Sequence, residues 1–352
     1  PFENFLAQLQ NKKQIDYSRL LKKELVATSN KAINPNLMQI EALKNIEHLR
    51  SQGKQKALLI SATGTGKTYL SALDAKSFNP KKLLFVVHRL NIANASKIAF
   101  ETIFGSSKTM GIYSGNQKEL DADFIFCTIQ TLAKDENLNQ FASDHFDYII
   151  IDETHRAGAY SYQKILEYFN PKFLLGMTAT PERSDGYDIF KSFDYNIAYE
   201  IRLHRALEED MLSPFHYYGV SEISVNGIPL SNENDFRSLA IQERVSQIIQ
   251  KAELYGSDNG IVRGLIFCSS IPEANQLSNE FNNQGYRTIS LGSNDNESER
   301  ESALKKLESN PKELDYIFTV DIFNEGIDVP KVNQIILLRP TESAIVFVQQ
   351  LG

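Results

Sequence analysis

The chain has 352 residues, a length that fits two or three domains, and 42% of them are hydrophobic, which is enough for packed cores. No run of about 18 apolar residues predicts a membrane span, and nothing at the start resembles a signal peptide. The net charge of −7 argues mildly against a protein that relies on an overall basic surface, although an acidic total still permits a local positive groove. The two cysteines, Cys127 and Cys268, lie in different halves of the chain, so neither a disulfide nor a metal site is expected and a reducing cytoplasm is the favoured compartment.

The first predicted elements precede the motifs that carry chemistry. Residues 1–33 are rich in Lys, Gln and Asn and are interpreted as an N-terminal approach segment, or alternatively as the tail of an upstream domain, with an amphipathic helix predicted over residues 15–26. Residues 36–50 then predict a second helix. Four apolar residues recur there at helical spacing: Leu37, Ile40, Leu43 and Ile46. Gln39 lies on a neighbouring face of this helix, where it is either an exposed polar residue or directed toward a ligand.

A glycine-rich segment follows the apolar run Ala57–Ile60, at the point where a strand ends and a helix begins. The segment reads Ser61-Ala62-Thr63-Gly64-Thr65-Gly66-Lys67-Thr68. Its backbone N–H groups can surround phosphates, and the following helix N-terminus adds favourable partial charge. Lys67 can reach the β- and γ-phosphates of a nucleotide, and the Thr68 hydroxyl can bind Mg²⁺. The strict pattern has glycine where Ser61 stands, but Gly64 and Gly66 keep the tight turn. An ordinary turn is the alternative interpretation.

A second apolar strand, Tyr148–Ile151, is followed by Asp152, Glu153, Thr154 and His155. The strand has no polar break, as expected of a strand buried on both faces, so Asp152 emerges at the carboxyl edge where open α/β sheets bind ligands. In P-loop enzymes such an aspartate holds Mg²⁺, and Glu153 is suited to orient or deprotonate an attacking water. The alternatives are a surface glutamate at a helix start for Glu153, and a helix cap or core hydrogen bond for His155.

Apolar runs and helical patterns alternate along the rest of the chain, which argues for parallel α/β sheets with right-handed crossovers. Strands of the first half are predicted at residues 57–60, 83–87, 124–127, 148–151 and 173–177, with helices at residues 90–104 and 161–169. Strands of the second half are predicted at residues 264–268, 287–291, 316–320 and 334–338, with helices at residues 272–283 and 297–308. A further strand is predicted at residues 214–218, early in the second domain. Two similar domains follow, residues 34–204 and 205–352.

The order of the motifs resembles that of the superfamily 2 DEAD/DEAH-type helicases. The resemblance covers roughly residues 34–352, and the ordered set is far more specific than any single motif. Beyond the two motifs above it rests on these segments: Asn34–Gln39, Val87–Arg89, Cys127–Thr131, Met177–Pro181, Leu265–Ser270, Thr319–Asp321, Glu325–Pro330 and Gln349–Gly352. The stretches Pro181–Gly186 and Ala198–Leu203 favour similarity to the Res subunits of type III restriction enzymes over the DEAD-box RNA helicases.

The resemblance implies two tandem RecA-like P-loop domains with parallel sheets, which bind ATP and Mg²⁺ between them and act on nucleic acid. The implied catalytic residues are Lys67, Asp152 and Glu153, with Thr68 and Asp152 as Mg²⁺ ligands. The implied nucleotide-binding residues are Gln39, Thr63, Gly64, Thr65, Gly66, Lys67, Thr68, Gly326 and Asp328. Three residues would couple hydrolysis to strand movement: His155, Thr178 and Thr180. The implied nucleic-acid contacts are His88, Arg89, Thr128, Gln130, Ser269, Thr319 and Asn324.

One departure from the family concerns the last motif, which relatives complete with arginines after the glycine, whereas this chain stops at Gly352. Because such arginines can supply roughly 10³–10⁵ in rate, the sequence predicts that this chain binds ATP but turns it over weakly. The first residue, Pro1, indicates a piece of a longer protein, and a nuclease or methylase module is expected only outside this chain.

Three functions are compatible with these residues. The first is a nucleic-acid-stimulated ATPase that moves on or opens DNA, and the second is an ATP-dependent nucleic-acid sensor that does not unwind. The third is a P-loop ATPase that works on protein, against which the Thr178–Thr180 and Gly326–Pro330 motifs argue. DNA is favoured over RNA only by analogy to the restriction-type branch. The polarity, the pathway and the oligomeric state are left open.

Overall fold

A computed structural model of the chain describes residues 35–115, 117–154, 160–182, 187–220, 224–225, 228–229, 239, 241–257, 260–320, 322 and 329–338. The described residues form two compact units, with the division between Phe215 and His216. The predicted approach segment, residues 1–33, lies outside the described residues. Each unit is an α/β structure with its own sheet and its own core.

The first unit alternates strands and helices along the chain. Its helices are α1 (Leu37–Ser51), α2 (Lys67–Phe78), α3 (Leu90–Phe104), α4 (Ile129–Leu132), α5 (Asp135–Leu138), α6 (Tyr160–Tyr168), α7 (Ile189–Ser192) and α8 (Leu203–Glu208). Its strands are β1 (Lys56–Ser61), β2 (Leu83–Val87), β3 (Met110–Ser114), β4 (Gln117–Lys118), β5 (Phe124–Thr128), β6 (Tyr148–Ile151), β7 (Phe173–Thr178) and β8 (Ile197–Ile201). The predicted strands and helices of this half are confirmed to within one or two residues at their ends.

The eight strands of the first sheet lie in the order β4-β3-β5-β2-β6-β7-β1-β8. All neighbours run parallel except β4, a two-residue strand that pairs antiparallel with β3 at one edge. Strands β2, β5, β6 and β7 are buried along their whole length, as their unbroken apolar runs predicted. The sequence did not predict β3 or β8. Strand β8 lies at the other edge and buries only part of its residues, so it lacks a continuous apolar run.

Helix α1 is confirmed, but its buried face is not the one that the apolar spacing marks. Of the four evenly spaced apolar residues only Ile46 is buried, whereas Leu37 is 86% exposed. The buried face instead carries Met38, Gln39 and Ala42. The small side chain of Ala42 lets the helix approach the sheet, and Asn45 Nδ2 donates to the backbone oxygen of Ala198 in β8 at 2.9 Å. Tertiary packing therefore outweighed the apolar pattern.

The second unit contains a smaller sheet. Its elements are β9 (Ser224–Val225), β10 (Ile228–Pro229), α9 (Ile241–Tyr255), β11 (Gly264–Phe267), α10 (Ile271–Asn283), β12 (Thr288–Leu291), α11 (Glu297–Glu308), β13 (Tyr316–Thr319) and β14 (Gln334–Leu337). The strands of this sheet lie in the order β12-β13-β11-β14, and all neighbours run parallel. The four strands and two helices predicted for this half are confirmed. Apolar clusters cover the two faces of the sheet.

The strand predicted at residues 214–218 is wrong. These residues form no regular element, and the ring of Tyr218 stacks on Tyr255 of α9 with centroids 4.0 Å apart. The aromatic run that suggested a strand is explained by this ring contact. Among the described residues, no helix is long and apolar enough to cross a membrane.

Candidate functional site

The candidate residues of the first unit follow neighbouring strands of one parallel sheet, so they meet at its carboxyl edge. The register pairs Ile60 of β1 with Thr178 of β7, and it pairs Ile151 of β6 with Gly176 of β7. Asp152 continues from β6, and its backbone N–H donates to the oxygen of Val86 in β2 at 3.0 Å. The ends of β1, β7 and β6 thus bring together the glycine-rich loop, Thr178 and Asp152. Strand β2 lies beside β6 and is followed by His88, and β5, on the other side of β2, ends at Thr128.

The glycine-rich loop connects β1 to α2 and needs glycine at two positions. Gly64 has φ +80° and Gly66 has φ +84°, in the left-handed region that residues with a Cβ rarely adopt. Gly66 is also the N-cap of α2, so Lys67 is the first helical residue and the helix N-terminus points into the loop. A Cβ on Gly66 would lie 2.8 Å from Gln39 Nε2, and one on Gly64 would lie 3.0 Å from Leu212 Cδ2. The residues after α8 therefore pack against the loop.

Hydrogen bonds hold the loop closed on itself. The Lys67 ammonium donates to the backbone oxygens of Ser61 at 3.0 Å and Ala62 at 3.3 Å. The Thr65 hydroxyl donates to the oxygen of Ala62 at 2.7 Å, and the hydroxyls of Ser61 and Thr65 lie 2.6 Å apart. The serine that replaces the pattern's glycine therefore makes a contact that glycine could not make. Sequence reasoning treated Ser61 as a neutral departure and missed this bond.

Gln39 contacts the loop from α1. It forms a capping box with Asn36, in which Asn36 Oδ1 accepts from Gln39 N at 2.8 Å and Gln39 Oε1 accepts from Asn36 N at 3.0 Å. Gln39 Nε2 donates to the backbone oxygen of Gly66 at 3.2 Å, and the residue is only 7% exposed. The alternative of an exposed polar helix residue is therefore wrong. Recognition of a nucleotide base by Gln39 stays a prediction.

The acidic motif is held in an unusual backbone conformation. Asp152 is 8% exposed and its Oδ1 accepts from the backbone N–H of Glu153 at 3.0 Å. Glu153 itself has φ +53°, an uncommon value for a residue other than glycine. The hydroxyl of Thr154, which is fully buried, donates to the backbone oxygen of Met177 in β7 at 3.0 Å. Thr154 thus joins the acidic motif to the strand that ends in Thr178, a link that no sequence pattern signalled.

The coupling candidates in the described part of the chain lie next to this link. Thr178 is fully buried, and its hydroxyl oxygen accepts from the backbone N–H of Thr180 at 3.1 Å. The Thr180 hydroxyl is buried and finds no hydrogen-bond partner among the described residues. The third coupling candidate, His155, lies outside the described residues.

The nucleic-acid candidates of the first unit differ in accessibility. His88 is 9% exposed and Arg89 is the N-cap of α3. The Thr128 hydroxyl is buried between Ser114 Oγ at 2.8 Å and Thr131 Oγ1 at 3.0 Å, so it stabilises the loop ends of β3 and β5 in this conformation. Gln130 is exposed at the start of α4.

The nucleic-acid candidates of the second unit follow adjacent strands of its sheet. The backbone N–H of Cys268 donates to the oxygen of Thr319 at 2.8 Å, so the ends of β11 and β13 lie side by side. Ser269 is exposed there, whereas Thr319 is fully buried. Asn324, Gly326, Asp328 and the last motif, residues 349–352, lie outside the described residues.

The groups at the carboxyl edge of the first sheet fit a nucleoside triphosphate with Mg²⁺. Two left-handed glycines leave room for phosphates beside loop N–H groups, and the Lys67 ammonium lies within the loop. The Thr68 hydroxyl and the Asp152 carboxylate are oxygen ligands of the kind that Mg²⁺ prefers, and this ion keeps few protein ligands. Within the described ranges, no three His, Cys, Asp or Glu side chains cluster as a metal site of their own.

Comparisons with known proteins match both halves of the chain. The family model "Type III restriction enzyme, res subunit" matches residues 32–183, and the model "Helicase conserved C-terminal domain" matches residues 243–352. A Saccharomyces cerevisiae protein with the name "Putative ATP-dependent helicase IRC3" is 26% identical over 326 residues, which are 86% of this chain and 46% of that protein. The type I restriction enzyme EcoAI endonuclease subunit of Escherichia coli is 27% identical over 276 residues, 69% of this chain and 34% of the subunit.

A solved structure also resembles the chain. A fragment of an HsdR subunit of a type I restriction enzyme from Vibrio vulnificus YJ016 superposes with a TM-score of 0.65 at 20% identity, covering 90% of this chain and 60% of that one. This likeness shows the fold, which is that of tandem RecA-like domains. The chain spans 46% and 34% of the two curated relatives described above, about half their length or less.

Proposed function

We propose that the chain is a superfamily 2 helicase-type motor that is driven by ATP and acts on DNA, because its two halves match the res-subunit and helicase C-terminal family models and its relatives include a helicase and a restriction-enzyme subunit. The observation that carries the proposal is the meeting of the glycine-rich loop, Thr178 and Asp152 at the ends of β1, β7 and β6. An ordinary turn at residues 61–68 would not account for two left-handed glycines after β1 together with a buried aspartate after β6, at the same edge of the sheet.

In this proposal each residue has a chemical task. Loop N–H groups and the Lys67 ammonium bind the β- and γ-phosphates, because positive charge there offsets the charge that spreads over the transferred phosphoryl oxygens. Thr68 and Asp152 would hold Mg²⁺, which would offset negative charge on the phosphates. Glu153 orients the attacking water and accepts its proton.

The second domain completes the cycle. Gly326 and Asp328 would contact the ribose, so that the state of the γ-phosphate sets how the two domains close on each other. Nucleic acid held by both domains, through residues such as Arg89 and Ser269, is then moved as they open and close. Phosphate contacts of this kind position a strand without reading its sequence.

DNA is proposed as the nucleic acid because the similar proteins include subunits of restriction enzymes. Such enzymes combine motors with nuclease or methylase modules, and we propose that any such module acts from outside this chain. The low turnover predicted from the sequence stays a prediction, and so does a cytoplasmic location.

The testing experiment measures ATP hydrolysis by the full-length protein with no nucleic acid, single-stranded DNA, duplex DNA and RNA. DNA is expected to raise the rate, and the affinity for single strands should fall with salt by about 0.7 log units per log unit of salt for each phosphate contact. A rate that no nucleic acid changes would contradict the motor proposal. If DNA stimulates hydrolysis but the protein neither displaces a strand from a forked duplex nor translocates on a duplex, the result would favour a sensor that grips nucleic acid.

A further inference from the structure

The backbone of Glu153 is the least relaxed part of the candidate hydrolytic site. Its φ of +53° is uncommon for a residue with a Cβ, and such a conformation persists only where neighbouring contacts enforce it. The contacts that hold Glu153 therefore decide where its carboxylate lies. Because an attacking water must be oriented closely, small changes in that position matter for the rate.

Two hydrogen bonds hold the residue from either side. On the N-terminal side, Asp152 Oδ1 accepts from the backbone N–H of Glu153 at 3.0 Å. On the C-terminal side, the Thr154 hydroxyl donates to the backbone oxygen of Met177 at 3.0 Å. The backbone N–H of Asp152 is bonded to β2, and the Thr154 hydroxyl bonds the other side of the motif to β7. Met177 lies inside β7 and is paired in register with Leu59 of β1, between the acidic motif and the glycine-rich loop.

The anchor also connects to the coupling segment. Met177 directly precedes Thr178, whose hydroxyl oxygen accepts from the N–H of Thr180 at 3.1 Å. A shift of Glu153 would therefore reach the segment after β7 through the Glu153–Thr154 peptide, the Thr154–Met177 hydrogen bond and the Met177–Thr178 peptide. Thr154 is fully buried, so water cannot replace its hydroxyl at this position without rearrangement.

We propose that the Thr154 hydroxyl is a positioning group, which fixes the Glu153 carboxylate for hydrolysis and links it to the Thr178–Thr180 segment. The inference rests on the proposed ATPase function, because it names a further residue of that same site. Thr154 itself touches neither the nucleotide nor the water. Its effect is on the turnover step, not on ATP binding.

The test replaces the hydroxyl by a methyl group of similar size, Thr154→Val. We expect kcat for ATP to fall by about 10- to 10²-fold, with KM and equilibrium ATP affinity nearly unchanged. Thr154→Ser keeps the hydroxyl and should restore most of the rate. Stimulation by nucleic acid should also fall in Thr154→Val, because the link to Thr178 is broken.

A matched control separates positioning from general destabilisation. The Thr288 hydroxyl also donates to a backbone carbonyl, that of Ser278 at 2.9 Å, but it lies in the second unit at the amino end of β12. Thr288→Val also removes a hydroxyl that is bonded to a backbone oxygen, although at a half-buried residue, and should leave kcat unchanged. Equal kcat values for the two variants, or a loss in Thr154→Val that Thr154→Ser does not restore, would overturn the inference.

A second measurement does not need ATP turnover. Amide hydrogen exchange of Glu153 and Thr180 should accelerate in Thr154→Val and not in Thr288→Val, because both amides depend on the anchored segment. Unchanged exchange would overturn the positioning role even in a protein that hydrolyses no ATP. If the wild type hydrolyses no ATP but Thr154→Val still accelerates the exchange as predicted, only the proposed function is contradicted.

Discussion

The buried ion pair between Arg50 and Asp74 should control the stability of the first unit. Arg50 Nη1 and Nη2 donate to the two Asp74 oxygens at 2.8 and 2.7 Å, and the Tyr148 hydroxyl donates to Asp74 at 2.5 Å. Asp74 is fully buried and the Arg50 side chain is 14% exposed. Burial, reinforced by the Asp74 carboxylate, keeps the pKa of Tyr148 well above its usual value, so the phenol remains a donor. Asp74→Leu would leave a buried guanidinium without its counter-charge.

The size of the effect follows from that burial. Removing one partner of a buried pair costs about 3–5 kcal/mol. For a unit of about 200 residues, in which 1 kcal/mol shifts Tm by roughly 2–4 °C, the melting temperature should fall by roughly 6–20 °C. Because Arg50 also lies 5.3 Å from the Phe78 ring and 5.0 Å from the Phe173 ring, its long side chain contributes packing as well as charge.

A double-mutant cycle tests the reasoning. Thermal unfolding is measured for Asp74→Leu, Arg50→Met and the double variant. The double variant should be more stable than the sum of the single losses predicts, because an apolar pair leaves no buried charge. Losses that add within about 0.5 kcal/mol would refute the account of this pair.

Two further predictions use matched observations in the structure. Gly66→Ala should weaken ATP binding at least tenfold by equilibrium titration, because φ is +84° and the new Cβ would lie 2.8 Å from Gln39 Nε2. Gly53→Ala is its control, since φ is +78° there with nothing within 4 Å, and equal ATP affinities would contradict the prediction. Burial works to raise the pKa of Asp315, but hydrogen bonds from Arg287 and Lys312 outweigh it and lower the pKa from 3.8 to about 2. A lowered pKa stabilises the fold above pH 4. Asp315→Asn should therefore lower the free energy of unfolding by about 1 kcal/mol at pH 7, after allowance for the half-exposed Arg287. The difference between the wild type and the variant, measured by urea denaturation, should shrink as the pH falls from about 4 toward 2. A difference that is the same at pH 7 and pH 3 would contradict that assignment.

The sequence predicted the parts of the fold whose local pattern and burial agree. The unbroken run Tyr148–Ile151 could only be satisfied in the middle of a sheet, and it lies there. The edge strand β8 escaped notice because it is partly polar and exposed, and β3, although largely buried, because Gly111 and Ser114 interrupt its apolar residues. Helix α1 shows a second limit, since burial of Gln39 and exposure of Leu37 follow from contacts with residues far along the chain.

For the site, the sequence located the glycine-rich loop and the acidic motif but not the contacts that hold each of them in place. The Ser61–Thr65 bond lies within one loop, yet a pattern that expects glycine gives no signal for it. The Thr154–Met177 bond and the contact of Leu212 with the Gly64 region join residues 23 and more than 100 positions apart, which only the folded chain brings together. Local patterns therefore identify chemical groups, whereas the sheet topology supplies their partners.

The most direct test of the central claim is the rate of ATP hydrolysis by the full-length wild type and by its Lys67→Ala variant, each with saturating DNA. If ATP is cleaved at the loop between β1 and α2, the wild type hydrolyses ATP and the variant does not, while both melt at closely similar temperatures. Equal rates for the two proteins would place hydrolysis elsewhere and contradict the account.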